Sequence, residues 1–538
     1  MERRRDGGGA PAEPSPQEEG AEPDLAVERG GAGGAQEREL VAAGASVPDD
    51  GQPPPGSLTT AVTSGASWSA MGRLGAQFLQ FGAGLVLARL LVPADFGLLA
   101  SVYVITGFAV LFFDMGLTGA LVHQRVMRQA DLDTVFWVNG IGGLVFVGLL
   151  AAIGPLVADF YGDERLTYLT PLAGLSFALF LGVSHSALLQ KSLRFKQLAL
   201  AETLAAVVGN VVTVVGAVVG LGPLALVAGP AVQSLVLTVL LCVAAPWRPR
   251  GFIRRESVRR LWAFSGGQLG FTVVNFFGRN SDNLLIGRFL GAAPLGYYNR
   301  AYNLMLLPLQ QISQVMGRVM FPALSAMGDD RPRLQRAYRR TVTLITAITM
   351  PVLVGMSAVA DGLVPLLWGD QWTTSIPLLQ LLCLAGLPQC LASTEGWLYQ
   401  SQGRTVTMFK MGAASTAVWV AAIVIGLQWG TVGVAVGILV TTWAYQPFAM
   451  HVACALIGLK GRRVLFDIAP TVLISLVMGA VVWAAPALLG LSRQEPLVVV
   501  GQVLVGTVLY AGLMLLFRRD VLRDLKSLRP GASRAAAA

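Results

Sequence analysis

Charged side chains are scarce in this sequence. They make up 13% of its 538 residues, whereas hydrophobic residues make up 54%. A soluble domain usually carries about 25% charged residues, so the composition argues against a soluble protein. The net charge of +9 would suit nucleic acid binding, but basic residues also gather on the cytoplasmic loops of membrane proteins. Here they fall between apolar segments, and we expect no nucleic-acid partner.

Cysteine and histidine are also rare, with four and three residues. No CxxC or Cys/His pattern with metal-ligand spacing occurs, and GxxxxGK[ST], HExxH and GxSxG are all missing. The sequence therefore predicts no metal site, no cofactor, no ATP hydrolysis by this chain and no enzymatic activity. We expect the cysteines to be reduced apolar residues of helices; they are Cys242, Cys383, Cys390 and Cys454.

Long apolar segments are abundant by contrast. About fourteen follow one another from Trp68 to Phe517, and a helix needs about 20 apolar residues to cross a bilayer core about 30 Å thick. The sequence therefore predicts an all-α polytopic membrane protein with about 14 transmembrane helices. The predicted spans are 66–90, 96–121, 134–158, 168–190, 199–221, 224–246, 264–290, 295–321, 341–367, 374–399, 406–428, 431–458, 466–489 and 497–517.

The first 57 residues differ from the rest in composition. They are rich in Gly, Ala, Pro and Glu and carry twelve acidic and five basic side chains. Such a segment cannot bury enough apolar surface to offset its chain entropy, so it is predicted to be a disordered cytoplasmic tail. The other predicted regions are a six-helix lobe at 58–246, a basic linker at 247–263, a second six-helix lobe at 264–458, helices 13 and 14 at 459–517, and a basic tail at 518–538.

Lys and Arg are distributed unequally between the two predicted sides of the membrane. The linker carries six arginines between 248 and 260, and the segment 331–340 carries five. The positive-inside rule therefore places these loops and both termini on the cytoplasmic side of a multi-pass protein. The opposite side has four basic residues: Arg89, Arg165, Arg288 and Arg493.

An internal repeat relates the two predicted lobes. Residues 87–103 match 286–302 with an offset of 199, and five of the 17 columns are identical, among them Gly97 with Gly296. Both segments fall at the turn between the first and second helix of a six-helix unit. Because six is even, both units enter the membrane in the same direction. The pattern predicts two parallel lobes around a central cavity, as in many secondary transporters, with two appended C-terminal helices.

Polar residues form stripes on three predicted spans. In the seventh span they recur at steps of three or four residues, which places them on one helical face. Charges at mid-bilayer are costly, so these faces predict a water-filled cavity between the lobes. The candidate substrate-binding residues are Arg73, Gln77 and Gln80 in the first span, Asn275, Arg279, Asp282 and Asn283 in the seventh, and Arg300, Asn303, Gln314 and Arg318 in the eighth.

Alternatives remain open for these polar groups. Asn and Gln side chains also join transmembrane helices by hydrogen bonds without lining any cavity. Three further intramembrane carboxylates are candidates either for ion coupling or for structural ion pairs: Asp114, Glu202 and Glu395.

Three motifs carry a resemblance to a known family. They are the run from Arg89 to Gly97 with the later Asp114-Met-Gly-Leu, the run from Asn280 to Tyr302, and Met320-Phe-Pro-Ala-Leu-Ser. Together they resemble bacterial polysaccharide transporters, the Wzx-type flippases and colanic-acid-type exporters. These proteins belong to the multidrug/oligosaccharidyl-lipid/polysaccharide superfamily. The resemblance covers about residues 60–460.

The resemblance implies two six-helix lobes that face a central cavity in the bacterial cytoplasmic membrane. It implies translocation of undecaprenyl-diphosphate-linked oligosaccharide, or export of related glycans, and it suggests a glycan polymerase or glycosyltransferases as partners. We expect the lobes to alternate access, with arginines and amides replacing the water around an anionic head group.

Two other functions are compatible with this architecture. A drug or organic-cation antiporter would favour a cavity rich in carboxylates and aromatic residues, whereas arginines outnumber carboxylates in the predicted stripes. A membrane scaffold that recruits a glycan-synthesis complex through its basic loops is also open. A membrane-embedded glycan polymerase or glycosyltransferase is disfavoured, because no loop is long enough for a catalytic domain.

Overall fold

The chain is helical throughout the part that the structure describes. This computed structural model describes residues 72, 75–113, 121, 128–258, 269–328, 330–521 and 523, and the regular elements in these ranges are all helices. We number the longer ones α1 (75–90), α2 (Pro93–Phe113), α3 (Gln129–Tyr161), α4 (Leu166–Ala178), α5 (Val183–Lys191), α6 (Phe195–Val218), α7 (Pro223–Ala244), α8 (Leu269–Leu290), α9 (Ala292–Ala326), α10 (Arg331–Ala358), α11 (Ala360–Trp368), α12 (Ser375–Ser401), α13 (Thr405–Gly426), α14 (Gly430–Ala455), α15 (Gly461–Leu488) and α16 (Pro496–Phe517).

The predicted spans coincide with helices wherever the structure describes them, but two spans are interrupted. The ninth is divided at Val359, between α10 and α11. The fourth is divided between α4 and α5, where Thr238 of α7 supplies the missing backbone partners. Its hydroxyl donates to the carbonyl oxygen of Leu179 at 2.8 Å and accepts from the amide of Leu181 at 3.0 Å. A helix tolerates such a break inside a membrane when the protein satisfies the backbone.

Most of the helices are apolar enough to cross a membrane. Among the described residues, nine helical segments combine sufficient length with high hydropathy, and one of them, Thr405–Ala455, contains both α13 and α14. The chain is therefore a multi-pass membrane protein. Although α8 and α9 are long enough, they are too polar to be among these segments, because they carry the predicted polar stripes.

Two helical bundles make up the fold. In the first, α6 packs on α7 and α3 on α4; in the second, α12 packs on α9, α10 and α14. The bundles meet mainly through α2, which packs along α9 and α8. We call the end of the molecule that carries residues 91–97 and 290–296 the turn face, because α1 turns into α2 there and α8 into α9. All described helices belong to one compact unit, so the predicted domain boundaries stay predictions.

At the turn face, α2 and α9 cross with their backbones in contact. A Cβ atom added to Gly97 would lie 1.7 Å from the carbonyl oxygen of Ala292, and one added to Gly296 would lie 1.9 Å from that of Pro93. Only glycine leaves room for such an approach. The contact occurs twice with the roles of the helices exchanged, as expected for two parallel lobes related by the repeat.

The largest buried apolar cluster lies in the second bundle and extends to α1 and α2. Its largest fully buried side chains are Trp372, Tyr298 and Tyr338. The hydroxyl of Tyr338 lies 3.2 Å from that of Thr394 in α12, and the rings of Trp372 and Phe96 pack in a T-shaped pair with their centroids 5.4 Å apart. This cluster therefore joins the start of α2 to the second bundle.

The last two helices pack beside α10 and are fixed by one ion pair at each end. Arg339 in α10 donates two hydrogen bonds to the carboxylate of Asp467 in α15. Arg493, in the loop between α15 and α16, donates to Asp361 of α11 at 2.9 Å. Two-pronged arginine–carboxylate contacts are among the stronger and more directional polar contacts. The Arg339 contact is of this kind, and the Arg493 contact is a single hydrogen bond; together they hold α15 and α16, which lie outside the predicted repeat, on the second bundle.

The segment after α7 folds back on the first turns of α3. The buried carboxylate of Asp133 accepts a hydrogen bond from the amide of Arg250 at 3.1 Å, and Trp137 Nε1 donates to the carbonyl oxygen of Gly251 at 2.9 Å. The arginines at 248, 250, 254 and 255 remain exposed, as a loop at a membrane surface requires. The predicted tail 1–57, residues 259–263 of the predicted linker and most of the predicted tail 518–538 lie outside the described residues.

The orientation predicted from the basic loops is testable with cysteine labels. Ser492 and Glu256 are both exposed, and of the four native cysteines Cys242 is exposed and the others are buried. In a Cys242→Ala background, we expect Ser492→Cys to react with an impermeant thiol reagent added outside intact cells. Glu256→Cys should react only after the cells are opened. The reverse pattern would overturn the predicted orientation.

Candidate substrate-binding site

The predicted substrate-binding residues come from α1, α8 and α9. The last two helices form an antiparallel hairpin that turns at Gly291, whose φ of 92° suits glycine. The hairpin brings the polar faces of α8 and α9 side by side. Arg73 and the coupling candidate Asp114 lie outside the described residues, and so does the side chain of Asn275.

Side chains of α8 and α9 form a hydrogen-bonded ladder. The hydroxyl of Tyr298 donates to the carboxylate of Asp282 at 2.8 Å. The amide of Asn299 donates to Asn283 at 3.1 Å, and that of Asn303 donates to Asn299 at 2.8 Å. Asp282 is 2% exposed, so its carboxylate is engaged inside the protein, whereas Asn303 is exposed. The ladder thus runs from a buried helix contact to an exposed polar end.

The other polar residues of these helices are mostly exposed. In α9, the exposed positions are separated by 11 and 4 residues, close to three turns and one turn, and so share one face. Exposed polar groups within membrane-spanning helices are costly against lipid, so an aqueous space beside them is the favourable arrangement. The cavity stays a prediction. The exposed side chains are Gln80, Arg279, Asn303, Gln314 and Arg318, and Gln77 is half-buried.

Arg300 has a different environment from Arg279 and Arg318. Its guanidinium group donates to the carbonyl oxygen of Gly84 in α1. It also lies 4.3 Å from the ring centroid of Phe96, with the rings of Trp368 and Trp372 at 5.7 and 6.0 Å. A guanidinium group is attracted to aromatic faces within about 6 Å. Arg300 therefore joins α9 to α1, a helix of the predicted first lobe.

Two more side chains of the second bundle bind the end of α1. Gln371 Nε2 donates to the carbonyl oxygens of Ala88 and Leu91 at 2.7 and 3.2 Å, and Trp372 Nε1 donates to Ala88 at 2.8 Å. The last carbonyls of a helix have no partner within it, so these donors satisfy the end of α1. Sequence analysis missed both residues, because no local pattern connects Trp372 with a carbonyl 284 positions earlier.

Of the described coupling candidates, only Glu395 lines a described cavity. This cavity, of about 240 Å³, lies between α12, α13 and α14 and is lined in part by Glu395, Tyr399, Tyr445 and Gln446. The carboxylate of Glu395 is buried and accepts a hydrogen bond from the amide of Gln446. The buried hydroxyl of Tyr399 has no hydrogen-bond partner among the described residues. Glu202 lies exposed on α6.

The fold and its polar hairpin define a class, the two-lobed polytopic membrane proteins that include secondary transporters. The family described as "Polysaccharide biosynthesis protein" matches residues 86–377, more than half of the chain. The lipopolysaccharide biosynthesis protein WzxC of Escherichia coli (strain K12) is 32% identical over 71% of this chain and 79% of that protein. The succinoglycan biosynthesis transport protein ExoT of Rhizobium meliloti (strain 1021) is 32% identical over 60% of this chain and 66% of that protein. The chain belongs to this family of polysaccharide biosynthesis proteins, which confirms the resemblance seen in its motifs.

The fold also has a counterpart among solved structures. The lipid II flippase MurJ, in an inward closed conformation, matches with a TM-score of 0.67 over 84% of this chain and 99% of that chain, at 14% identity. At this identity the likeness concerns the fold alone. It confirms the predicted all-α polytopic fold, whereas the number of about 14 transmembrane helices stays a prediction. Within the described residues, no group of three His, Cys, Asp or Glu side chains is placed to hold a metal ion.

The contact between Glu395 and Gln446 yields a stability prediction. Glu395→Ala leaves a buried amide without its acceptor, which costs about 1–3 kcal/mol of unfolding free energy. Glu395→Gln keeps an acceptor oxygen and should cost less. Thermal unfolding of the purified protein in detergent measures the difference.

A double variant controls for the loss of packing. Glu395→Ala combined with Gln446→Leu removes both partners and should recover part of the lost stability. Equal melting temperatures for Glu395→Ala and the native protein would show that the hydrogen bond contributes nothing.

Proposed function

We propose that this protein is an alternating-access transporter that translocates a lipid-linked oligosaccharide, or a related polysaccharide precursor, across the bacterial cytoplasmic membrane. The product would enter surface or secreted polysaccharide. Family membership supports this proposal, as do the names of the two relatives, a lipopolysaccharide biosynthesis protein and a succinoglycan transport protein.

One observation carries the assignment of the site: arginines and amides are exposed on neighbouring membrane helices. Arg279 of α8 and Arg318 of α9 supply positive charge, and Asn303 adds an amide at the exposed end of the ladder. Such donors bind diphosphate or acidic sugar oxygens through charge-assisted hydrogen bonds. The other residues of the proposed site are Arg73, Gln77, Gln80, Asn275, Asp282, Asn283, Arg300 and Gln314.

This arrangement suits a substrate whose head group is unstable in the membrane. The tail of a lipid-linked glycan is stable in hydrocarbon, whereas its charged and hydrated head is not. An arginine-lined path between the lobes replaces the water of the head while the tail stays in the bilayer. Rocking of one lobe against the other then exposes the path to alternate sides.

We place both termini in the cytoplasm and take the substrate to be of the undecaprenyl-diphosphate type. Outward movement of an anion from a negative cytoplasm is favoured by about 2.3 kcal/mol per charge per 100 mV, so ion coupling is not required energetically. If an ion is coupled, Glu395 is the best-placed described candidate, because its buried carboxylate lines a cavity together with Tyr399, Tyr445 and Gln446. Asp114 and Glu202 stay as further candidates. A glycan polymerase or glycosyltransferases are the proposed partners.

Two alternatives are kept as outcomes of the experiments below. The arginines that face the proposed path disfavour a drug or organic-cation antiporter, because they would repel a cationic substrate. A scaffold for a glycan-synthesis complex would need the exposed basic loops but not the membrane arginines. We do not expect the chain to be an enzyme, in line with its transporter relative.

Removal of one exposed arginine tests the site. We expect Arg279→Ala to reduce glycan export about 10- to 100-fold, the effect of losing one charged hydrogen bond of about 1.5–3 kcal/mol, with normal amounts of protein in the membrane. Arg279→Glu should be at least as severe, because it repels an anionic head. Surface polysaccharide and protein level are measured in parallel.

Arg462→Ala is the matched control, because Arg462 is exposed at the start of α15, away from the proposed path. It should export normally. Normal export by Arg279→Ala would contradict the anion-binding site, whereas loss of the protein from the membrane would assign Arg279 a structural role.

The fate of the glycan separates the flippase from its alternatives. Deletion of the gene should leave lipid-linked oligosaccharide on the inner leaflet and abolish surface polysaccharide, with little change in the efflux of cationic dyes. The native gene should restore the polysaccharide, and Arg279→Ala should not. Restored dye efflux without restored glycan would instead identify an antiporter, and full rescue by Arg279→Ala would favour a scaffold.

A further inference from the structure

At the turn face, side chains of the second bundle donate hydrogen bonds to the end of α1, a helix of the predicted first lobe. The acceptors are carbonyl oxygens near the end of α1, at Gly84, Ala88 and Leu91. The donors are Arg300, Gln371 and Trp372, which follow α8 in the chain and belong to the second bundle. Movement of the bundles apart at this end would therefore break all of these hydrogen bonds together.

The donors are supported by aromatic packing in the same place. The ring of Phe96 lies under the guanidinium group of Arg300, with 4.3 Å between its centroid and the guanidinium carbon, and forms a T-shaped pair with Trp372 at a centroid distance of 5.4 Å. Trp372 in turn packs against Trp368 at 5.7 Å and Tyr297 at 5.8 Å. The aromatic rings around Arg300 restrict its side chain. Its contact with α1 therefore loses less side-chain entropy when it forms.

The hydrogen bonding of Arg300 is incomplete. Among the described residues no carboxylate pairs with Arg300, and its buried Nε–H has no hydrogen-bond partner. A buried guanidinium group with an unused donor is stabilised in any other conformation in which water or an anion contacts it. A purely structural arginine would be expected to have a counter-charge.

We propose that Arg300, Gln371 and Trp372 form a latch, the turn-face latch, that holds this face closed and must open in each transport cycle. The backbone crossing of Gly97 with Ala292 and of Gly296 with Pro93 brings the two lobes close enough for the latch to form. The latch rests on the proposed alternating-access function, in which the turn face is the outer face. In this conformation Arg300 acts as a gate residue.

The latch is tested by measuring the distance between the lobes at the turn face. Spin labels are attached at Val219→Cys, after α6, and at Gln428→Cys, between α13 and α14, in a Cys242→Ala background. Both native side chains are exposed. Pulsed electron paramagnetic resonance then gives the distribution of distances in proteoliposomes without substrate.

We expect Arg300→Met combined with Trp372→Phe to shift the distribution toward longer distances. Each hydrogen bond removed should change the ratio of closed to open populations about 2- to 10-fold. Gln371→Leu alone replaces an exposed side chain and should give a smaller shift without a risk to folding. The control is Arg165→Met, because Arg165 pairs with Asp163 and Asp95 inside the first bundle; it should leave the distribution unchanged.

An unchanged distribution in both Gln371→Leu and the double variant, with melting temperatures near the native value, would overturn the latch. An equal shift in Arg165→Met would also overturn it, since the effect would then not depend on contacts between the bundles. Glycan export is scored separately. If the latch variants keep the native label distances and export glycan normally, the latch alone is refuted. If the label distances increase in the latch variants, but the native gene restores dye efflux and not glycan, the proposed function alone is refuted.

Discussion

Hydrocarbon offers no partner to a polar group, and this constraint organises the structure. Where the fourth predicted span breaks, the hydroxyl of Thr238 satisfies both exposed backbone groups. Where α1 ends, its carbonyls are satisfied by side chains of the other bundle. Because each unsatisfied group would cost several kcal/mol in lipid, the polar residues of α1, α8 and α9 have to meet protein or water. The predicted cavity between the lobes would supply the water.

The two lobes are related by a repeat, but their roles are not equal. The glycine crossing at Gly97 and Gly296 is symmetric, with each glycine facing the backbone of the other helix. Three of the donors, Arg300, Gln371 and Trp372, belong to the second bundle, whereas Arg89 donates from α1 to the carbonyl oxygen of Leu366 at 2.6 Å. At the repeat position of Arg300 the first lobe has Ser101, whose hydroxyl donates to the carbonyl oxygen of Gly97 within its own helix. The symmetric backbone crossing is thus combined with side-chain contacts that do not follow the repeat.

The residues of α8 and α9 show how far a periodic pattern can be interpreted. The stripe spacing predicted one polar face, and the structure joins these faces in the ladder from Asp282 to Asn303. The spacing did not distinguish Asp282 from Arg279. The carboxylate of Asp282 is buried and accepts a hydrogen bond from Tyr298, whereas Arg279 is exposed. Both positions lie on the same face of one helix, and only the packing of a second helix decides which of them is covered.

By itself, the sequence determined the class of protein and the positions of the described helices, and it predicted the parallel repeat. These follow from hydropathy, length and spacing, which are local properties that the bilayer selects strongly. Tertiary structure alone decided the contacts between distant residues. The placement of Arg300 on Gly84, of Trp372 on Ala88 and of Gln446 on Glu395 depends on how packed helices meet. Periodicity within one helix carries no information about its neighbour, so the contacts at the turn face and the cavity at Glu395 were visible only in the folded chain.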